Sequence, residues 1–315
     1  MHQWCGDGFP KLRRSLDAWQ AFERPRTYRA GVLTDYHMHL QPDGVEARDR
    51  DARRWDSHGG ARSIGWIGRY VERARSRAID EIAITEHVHR FAEAADWHPD
   101  PFWRGEATED LAAYVADLTE AKTSGLPILI GIEMDWLPDR RTDIAAMLDA
   151  HPFDIVLGSV HWLGEHGIDD PAAPAADRLG AEQVWDRYLE EFVAAASSGL
   201  YDVMAHPDLP KVFGQRLPSS HAARIDDVVA AVAQTGVAIE CSSAGLRKPV
   251  NELYPDPSWL GAFQRAGVPV TLASDAHSPD DVGRDYPTAV AALRGAGYST
   301  LTRFRGREPR QEPFA

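Results

Sequence analysis

Short, unbroken apolar runs alternate along this chain with longer stretches whose apolar residues recur at helical spacing. The runs lie at 32–39, 79–87, 128–134, 155–161, 202–206, 237–241 and 268–275. Their interiors, such as Ile82-Ala83-Ile84, Ile128-Leu129-Ile130, Ile155-Val156-Leu157 and Val237-Ala238-Ile239, are apolar at successive positions, which marks parallel strands covered on both faces. The intervening segments 64–77, 108–124, 142–150, 181–198, 222–234, 258–266 and 288–296 read as helices. Gly125, Gly199, Gly236, Gly267 and Gly297 stand where helix C-caps are expected. Regular alternation of this kind builds right-handed βαβ units and a parallel sheet. Seven strands, with a possible further one near 300–304, predict an α/β barrel rather than an open sheet. No GxGxxG or P-loop pattern follows any strand, so nucleotide binding is not indicated.

Residues 1–31 stand outside the pattern and read as an N-terminal extension, dispensable for activity; translation starting near Val32 would explain them equally well. The barrel domain is expected over residues 32–306, with a C-terminal tail at 307–315. Long loops at 41–60, 90–107 and 164–178 follow strands one, two and four, on the side where barrel active sites are built. Trp97, His98, Phe102 and Trp103 would make the second loop a partly apolar cover.

The strand endings carry the chemistry. In chain order they are Asp35-Tyr36-His37-Met38-His39, Thr85-Glu86-His87, Gly131-Ile132-Glu133-Met134-Asp135, Gly158-Ser159-Val160-His161, Ala205-His206-Pro207-Asp208, Ile239-Glu240-Cys241 and Ser274-Asp275-Ala276-His277. An apolar run that switches to a ligand residue puts that side chain at the strand's C-terminal edge. His37 and His39, two apart, project to the same side and form a pincer for a borderline divalent metal. One such ending carries little weight, but seven in register point to a polynuclear metal centre. His89, His98, His151, His166 and His221 fall outside the strand-end register and read as loop or surface residues. Glu86 and Asp208 could orient neighbouring imidazoles, Glu240 has an orienting or structural role, and Asp135 could be a strand cap.

The formal charge of −14 disfavours a nucleic-acid partner, whose footprints are usually basic. Bound cations would still reverse the local sign for a small anionic substrate. Two isolated cysteines, Cys5 and Cys241, exclude a disulfide framework and suit a reducing compartment. With no apolar run near membrane-spanning length, a cytoplasmic protein without membrane partners is the expectation.

The ordered endings resemble the PHP (polymerase and histidinol phosphatase) family over about Val32 to Gly306. The segments His206-Pro207-Asp208-Leu209-Pro210-Lys211 and Ala244-Gly245-Leu246-Arg247-Lys248-Pro249 are similar to its monofunctional histidinol-phosphatase branch. The resemblance implies a distorted (β/α)7 barrel with two or three divalent ions of zinc, manganese or iron at its mouth. Transferred by motif, His37, His39, Glu133 and Asp275 would hold the first metal. Glu133 would bridge to a second, completed by His161 and His206, and His87 and His277 would hold a third. Many members carry a further histidine shortly after the HxH pair; here Asp43 is the natural substitute.

The implied activity is metal-dependent hydrolysis of a small phosphomonoester, L-histidinol phosphate in histidine biosynthesis, with water rather than a protein side chain as nucleophile. Glu133, Asp275 and His277 take the catalytic positions, and Arg247, Lys211 and Ser243 the phosphate-binding ones. The rival readings are another PHP phosphoesterase, including a nuclease, an amidohydrolase-type hydrolase, and an inactive PHP binding module. The strand ends lack the lysine that commonly bridges metals in amidohydrolases. Intact ligands argue against the inactive module.

Overall fold

The computed structural model describes residues 31–314; of the expected extension 1–31, residues 1–30 lie outside the described residues. Seven strands follow one another: β1 (Thr34–Asp35), β2 (Glu81–Ile84), β3 (Ile128–Asp135), β4 (Ile155–Ser159), β5 (Val203–Met204), β6 (Ala238–Ser242) and β7 (Val270–Ala273). Their spatial order is their chain order, and each neighbouring pair is parallel. Tyr36 N donates to Leu272 O at 3.2 Å and Met38 bridges Ala276, which brings the last strand back to the first. The result is a nearly closed (β/α)7 barrel.

Helices α1 (Ile64–Ser76), α2 (Leu111–Thr123), α3 (Arg141–Ala150), α4 (Ala181–Ala196), α5 (Arg224–Ala233), α6 (Pro257–Arg265) and α7 (Tyr286–Ala296) cover the outside. Side-chain caps set several starts: Ser63 accepts from Trp66 N, and Asp110 accepts from Ala113 N. The second cap explains why α2 begins at Leu111 rather than at the expected 108.

Strand alternation divides the apolar residues into two layers. Ile82, Ile84, Ile128, Ile130, Val156 and Ile239 face the helices, whereas Ala83, Leu129, Ile155, Leu157, Val203 and Ala238 fill the barrel interior. Gly131 lies in the interior set. A Cβ there would stand 2.7 Å from Thr85 Cγ2 and 2.9 Å from Ile155 Cγ2, so only glycine lets these strands approach.

Two expectations differ from the structure. Residues 300–304 are not an eighth barrel strand, and most of 307–315 is not a free tail. Thr300–Arg305 (β8) and Glu308–Pro313 (β9) form an antiparallel hairpin across the N-terminal edge of the barrel. It is tied there by Val32 N to Pro313 O at 3.0 Å, by Arg307 N to Asp154 O at 2.8 Å, and by Arg303 to Glu81 at 3.0 Å. Phe304, buried 6.3 Å from the Tyr36 ring, plugs this end of the interior. The opposite end stays open for polar side chains. No helix among the described residues is long and apolar enough to cross a membrane.

Candidate metal centre

The C-terminal ends of the strands bring seven predicted ligands around one buried carboxylate. Glu133, on β3 at the parity of Leu129 and Gly131, points up the barrel interior. His87 Nδ1 lies 2.7 Å from Glu133, His37 Nε2 and His206 Nε2 3.1 Å, His39 Nε2 3.4 Å and His161 Nε2 3.6 Å. Asp275 Oδ1 is 3.6 Å from His37 Nε2 and 3.4 Å from His39 Nε2. Donor atoms within 4.8 Å of one another form the sets His37–His39–Asp275, His37–Glu133–His206, His87–Glu133–His161 and His39–His87–His277.

Local backbone geometry aims two of these residues. His206 and Asp275 have φ of 29° and 48°. A positive φ at a non-glycine residue carries strain, and such strain concentrates at functional sites. His206 follows the end of β5 at Met204, and Asp275 the end of β7 at Ala273. Past Asp35, two backbone donors turn to side chains, Met38 N to Thr85 Oγ1 at 3.1 Å and Leu40 N to Glu86 Oε1 at 2.6 Å, while His39 N donates to Ala276 O at 2.7 Å.

Behind the imidazoles stand carboxylates. His37 Nδ1 is 2.8 Å from Glu240 Oε2, His161 Nδ1 is 2.8 Å from Asp135 Oδ1, and His39 Nδ1 is 3.5 Å from Glu86 Oε2. For His37 and His161 the carboxylate on Nδ1 fixes the tautomer and leaves the Nε2 lone pair facing the centre, the arrangement found behind metal-binding histidines, whereas Glu86 stands near His39 Nδ1 without hydrogen-bonding it. Asp135 therefore orients an imidazole rather than merely capping a strand.

The chemistry of the donor set fits metal ions. His37 Nε2, both His39 nitrogens, His87 Nδ1 and Glu133 Oε2 are buried without a hydrogen-bond partner. Some of these atoms lie only about 3 Å apart. Close heteroatoms that are not aligned as hydrogen bonds are what ligands sharing a cation require. Unsatisfied buried groups otherwise carry a desolvation cost of about 1–3 kcal/mol each.

The field inside the site is strongly coupled. Burial opposes charge on His37 and His87, yet neighbouring carboxylates, Glu133 foremost, hold both well above the ordinary imidazole range. His161 is pushed up to about 9: burial opposes the rise, while Asp135 and Glu133 drive it. Burial would raise Glu133, but His37, His87 and His161 keep it well below the usual carboxylate range. Asp275 is likewise held down against burial, by His37, His39 and His277.

On the solvent side, Asp43 Oδ2 lies 3.2 Å from His277 Nε2 and 3.5 Å from His87 Nε2. Arg90 holds the other oxygen, Oδ1, at 2.8 Å, and pairs through Nε with Glu86 at 3.0 Å. Arg90 was not singled out from the sequence, because nothing local marks an arginine just past a strand. His89 lies in the loop after β2 but not at the surface: it is buried beside His87, with ring centroids 4.6 Å apart. The signal was present, since His87-Val88-His89 repeats the HxH spacing of His37 and His39.

The expected phosphate ligands lie outside this cluster. Lys211 is buried, donating to Leu253 O at 2.6 Å and pairing with Asp208 at 2.7 Å. Asp208 thus serves Lys211 and Asp256 N rather than an imidazole. Ser243 Oγ donates to Arg284 O at 2.6 Å. Arg247 donates to Ser274 O at 2.5 Å and Asp275 O at 3.4 Å, and so braces the strained end of β7. In the second loop, His98 is also buried and joins Gly164 O at 2.9 Å, whereas Phe102 stays exposed, its ring 5.3 Å from His89.

Fold and site define a parallel α/β barrel with clustered candidate metal ligands at its mouth. The PHP domain family matches residues 61–244. A probable histidinol-phosphatase of Deinococcus radiodurans is 34% identical over 244 residues, which span 76% of this chain and 90% of that protein. The histidinol-phosphatase of Bacillus subtilis is 25% identical over 243 residues, 70% of this chain and 90% of its own. The fold is shared with a histidinol phosphate phosphatase from Lactococcus lactis, solved with zinc, L-histidinol and phosphate. Its TM-score is 0.67 at 20% identity, covering 88% of this chain and 98% of that one. The chain belongs to the PHP domain family.

Proposed function

We propose that this chain is a metal-dependent phosphomonoesterase that hydrolyses L-histidinol phosphate to L-histidinol and phosphate, a cytoplasmic step of histidine biosynthesis. The observation that carries the chemistry is the convergence of five imidazoles on Glu133, two of them hydrogen-bonded through Nδ1 to carboxylates. The relative from Deinococcus radiodurans, matched over 90% of its length, supports the substrate.

His37, His39, Glu133 and Asp275 would hold one cation, Glu133, His161 and His206 a second, and Asp43, His87 and His277 a third. Zinc, manganese and iron all suit this mixture of nitrogen and oxygen donors. Divalent cations there would supply Lewis acidity and neutralise charge on the phosphoryl oxygens. Glu133 would contribute to two sites at once. Glu240 and Asp135 hold His37 and His161 in one tautomer. Asp43 and His277 are the more exposed members, at 36% and 25%, so ester and water enter past them. Arg247 keeps Asp275 aimed inward through the carbonyls it binds.

The test is a phosphatase screen over L-histidinol phosphate and a panel of other phosphomonoesters, with manganese, zinc and iron supplied in turn. Preferred turnover of L-histidinol phosphate is expected. Turnover confined to another ester would move the substrate assignment, and none with any metal would overturn the activity.

A further inference from the structure

His89 has no role in the metal sets described above, yet its surroundings are those of a ligand. The residue is only 5% exposed, and its ring lies near those of Phe102, at 5.3 Å, and Trp103, at 5.6 Å. A histidine held only for packing would still place its nitrogens on partners. Here Nε2 is buried with none. The nearest carboxylate oxygen, Asp43 Oδ1, is 4.0 Å away, too far for a hydrogen bond. Asp43, His87 and His89 nevertheless each offer a donor atom within 4.8 Å of the others.

The neighbours are fixed in a way that suits a shared ion. Arg90 holds Asp43 Oδ1, which leaves Oδ2 directed at His87 Nε2 and His277 Nε2. His87 presents Nδ1 to Glu133 and so offers its other nitrogen to this side. Stacking on His87 sets the orientation of the His89 ring, and the two aromatic side chains of the second loop close behind it. One carboxylate with imidazoles is a donor set for a borderline divalent ion.

We propose that His89 is a ligand of the third metal site, which it forms with Asp43, His87 and His277. The inference rests on the metal-centre reading of the barrel mouth and extends it to a residue the strand-end pattern does not include. The site is then built by the loops after β1 and β2 as much as by strand ends, and the second loop's aromatic side chains serve to seat a ligand.

Metal content decides it independently of turnover. Purified protein is stripped with a chelator and titrated with cobalt(II), followed by visible absorbance. Zinc-reconstituted samples are assayed for metal after desalting. Wild type is expected to take up three equivalents. His89→Phe keeps a ring beside Phe102 and Trp103 but removes the nitrogen, and His89→Gln keeps a polar side chain of reduced ligand quality. Both should retain two equivalents and bind the third about 100-fold or more weakly, beyond the scale seen when only a supporting group is lost. Melting of the stripped variants at the wild-type temperature would show that folding is intact. Three equivalents of unchanged affinity in both variants would overturn the assignment while leaving the metal centre standing. So would loss of all metals together with a lowered melting temperature, which is the mark of a structural histidine. Wild type holding only two equivalents would also overturn it, and wild type holding none would instead remove the metal-centre reading itself.

Discussion

Replacing Glu133 by glutamine tests the centre at the point where most of its contacts meet. The side chain is fully buried and accepts from Ser159 Oγ, with five imidazole nitrogens 2.7–3.6 Å from its oxygens. The substitution keeps shape and volume but removes one unit of charge from a water-excluded site. At about 4 Å and an effective dielectric of about 20, one pair of unit charges interacts by about 4 kcal/mol. Measured losses for breaking a buried charge pair run about 3–5 kcal/mol. That corresponds to roughly 10²- to several-10³-fold in affinity, for each cation that relies on this carboxylate. The expected outcome is that metal content and kcat/KM on L-histidinol phosphate fall together, because one residue serves two ions. Elemental analysis of desalted protein beside steady-state kinetics makes the comparison. Wild-type metal content with near-normal turnover in Glu133→Gln would refute the bridging role.

Three further outcomes follow from the same geometry. Asp135→Asn leaves His161 in place but weakens the hold on its Nδ1, so metal affinity should drop about 10–100-fold at the site His161 shares with His206; unchanged titration curves would show that Asp135 does not orient it. Arg247→Ala releases the Ser274 and Asp275 carbonyls, so metal content and kcat/KM should fall together, whereas a loss of about 2–3 kcal/mol in kcat/KM with metal intact would place the guanidinium on phosphate instead. In metal-free protein His161 titrates near 9 instead of 6.5, so the folded state keeps a proton that the unfolded chain releases between those values. That stabilisation is complete below about pH 6.5 and is lost as pH rises through about 9, so melting temperatures of stripped protein should decline across this window. Metal-saturated protein, whose imidazole must be neutral to bind, should lack the decline, and identical profiles for the two forms would count against His161 as a ligand.

What the sequence determined by itself is what neighbouring residues decide. A run of apolar residues makes a two-side-buried strand, its polar ending sits at the strand's edge, and glycine ends a helix; each is local. Hence the seven strands, their covering helices and the candidate ligands His37, His39, His87, Glu133, His161, His206, Asp275 and His277, which the fold brings together, were legible before any coordinates. Which oxygen meets which nitrogen was not. Glu240 reaches His37 across 203 residues only because the barrel closes and both occupy its interior. Lys211 and Ser243 looked free for phosphate, but the folded chain commits them to Asp208, Leu253 and Arg284. Residues 308–313 carry no apolar stripe, yet they form a strand because β8 offers an unpaired edge beneath the barrel. His89 shows the same division: its spacing from His87 was written in the sequence, but its burial beside Asp43 depends on loops from two different strands meeting at the mouth. Long-range partners are chosen by closure and burial, which reward buried groups only when they are paired, and that choice exists only once the chain is folded.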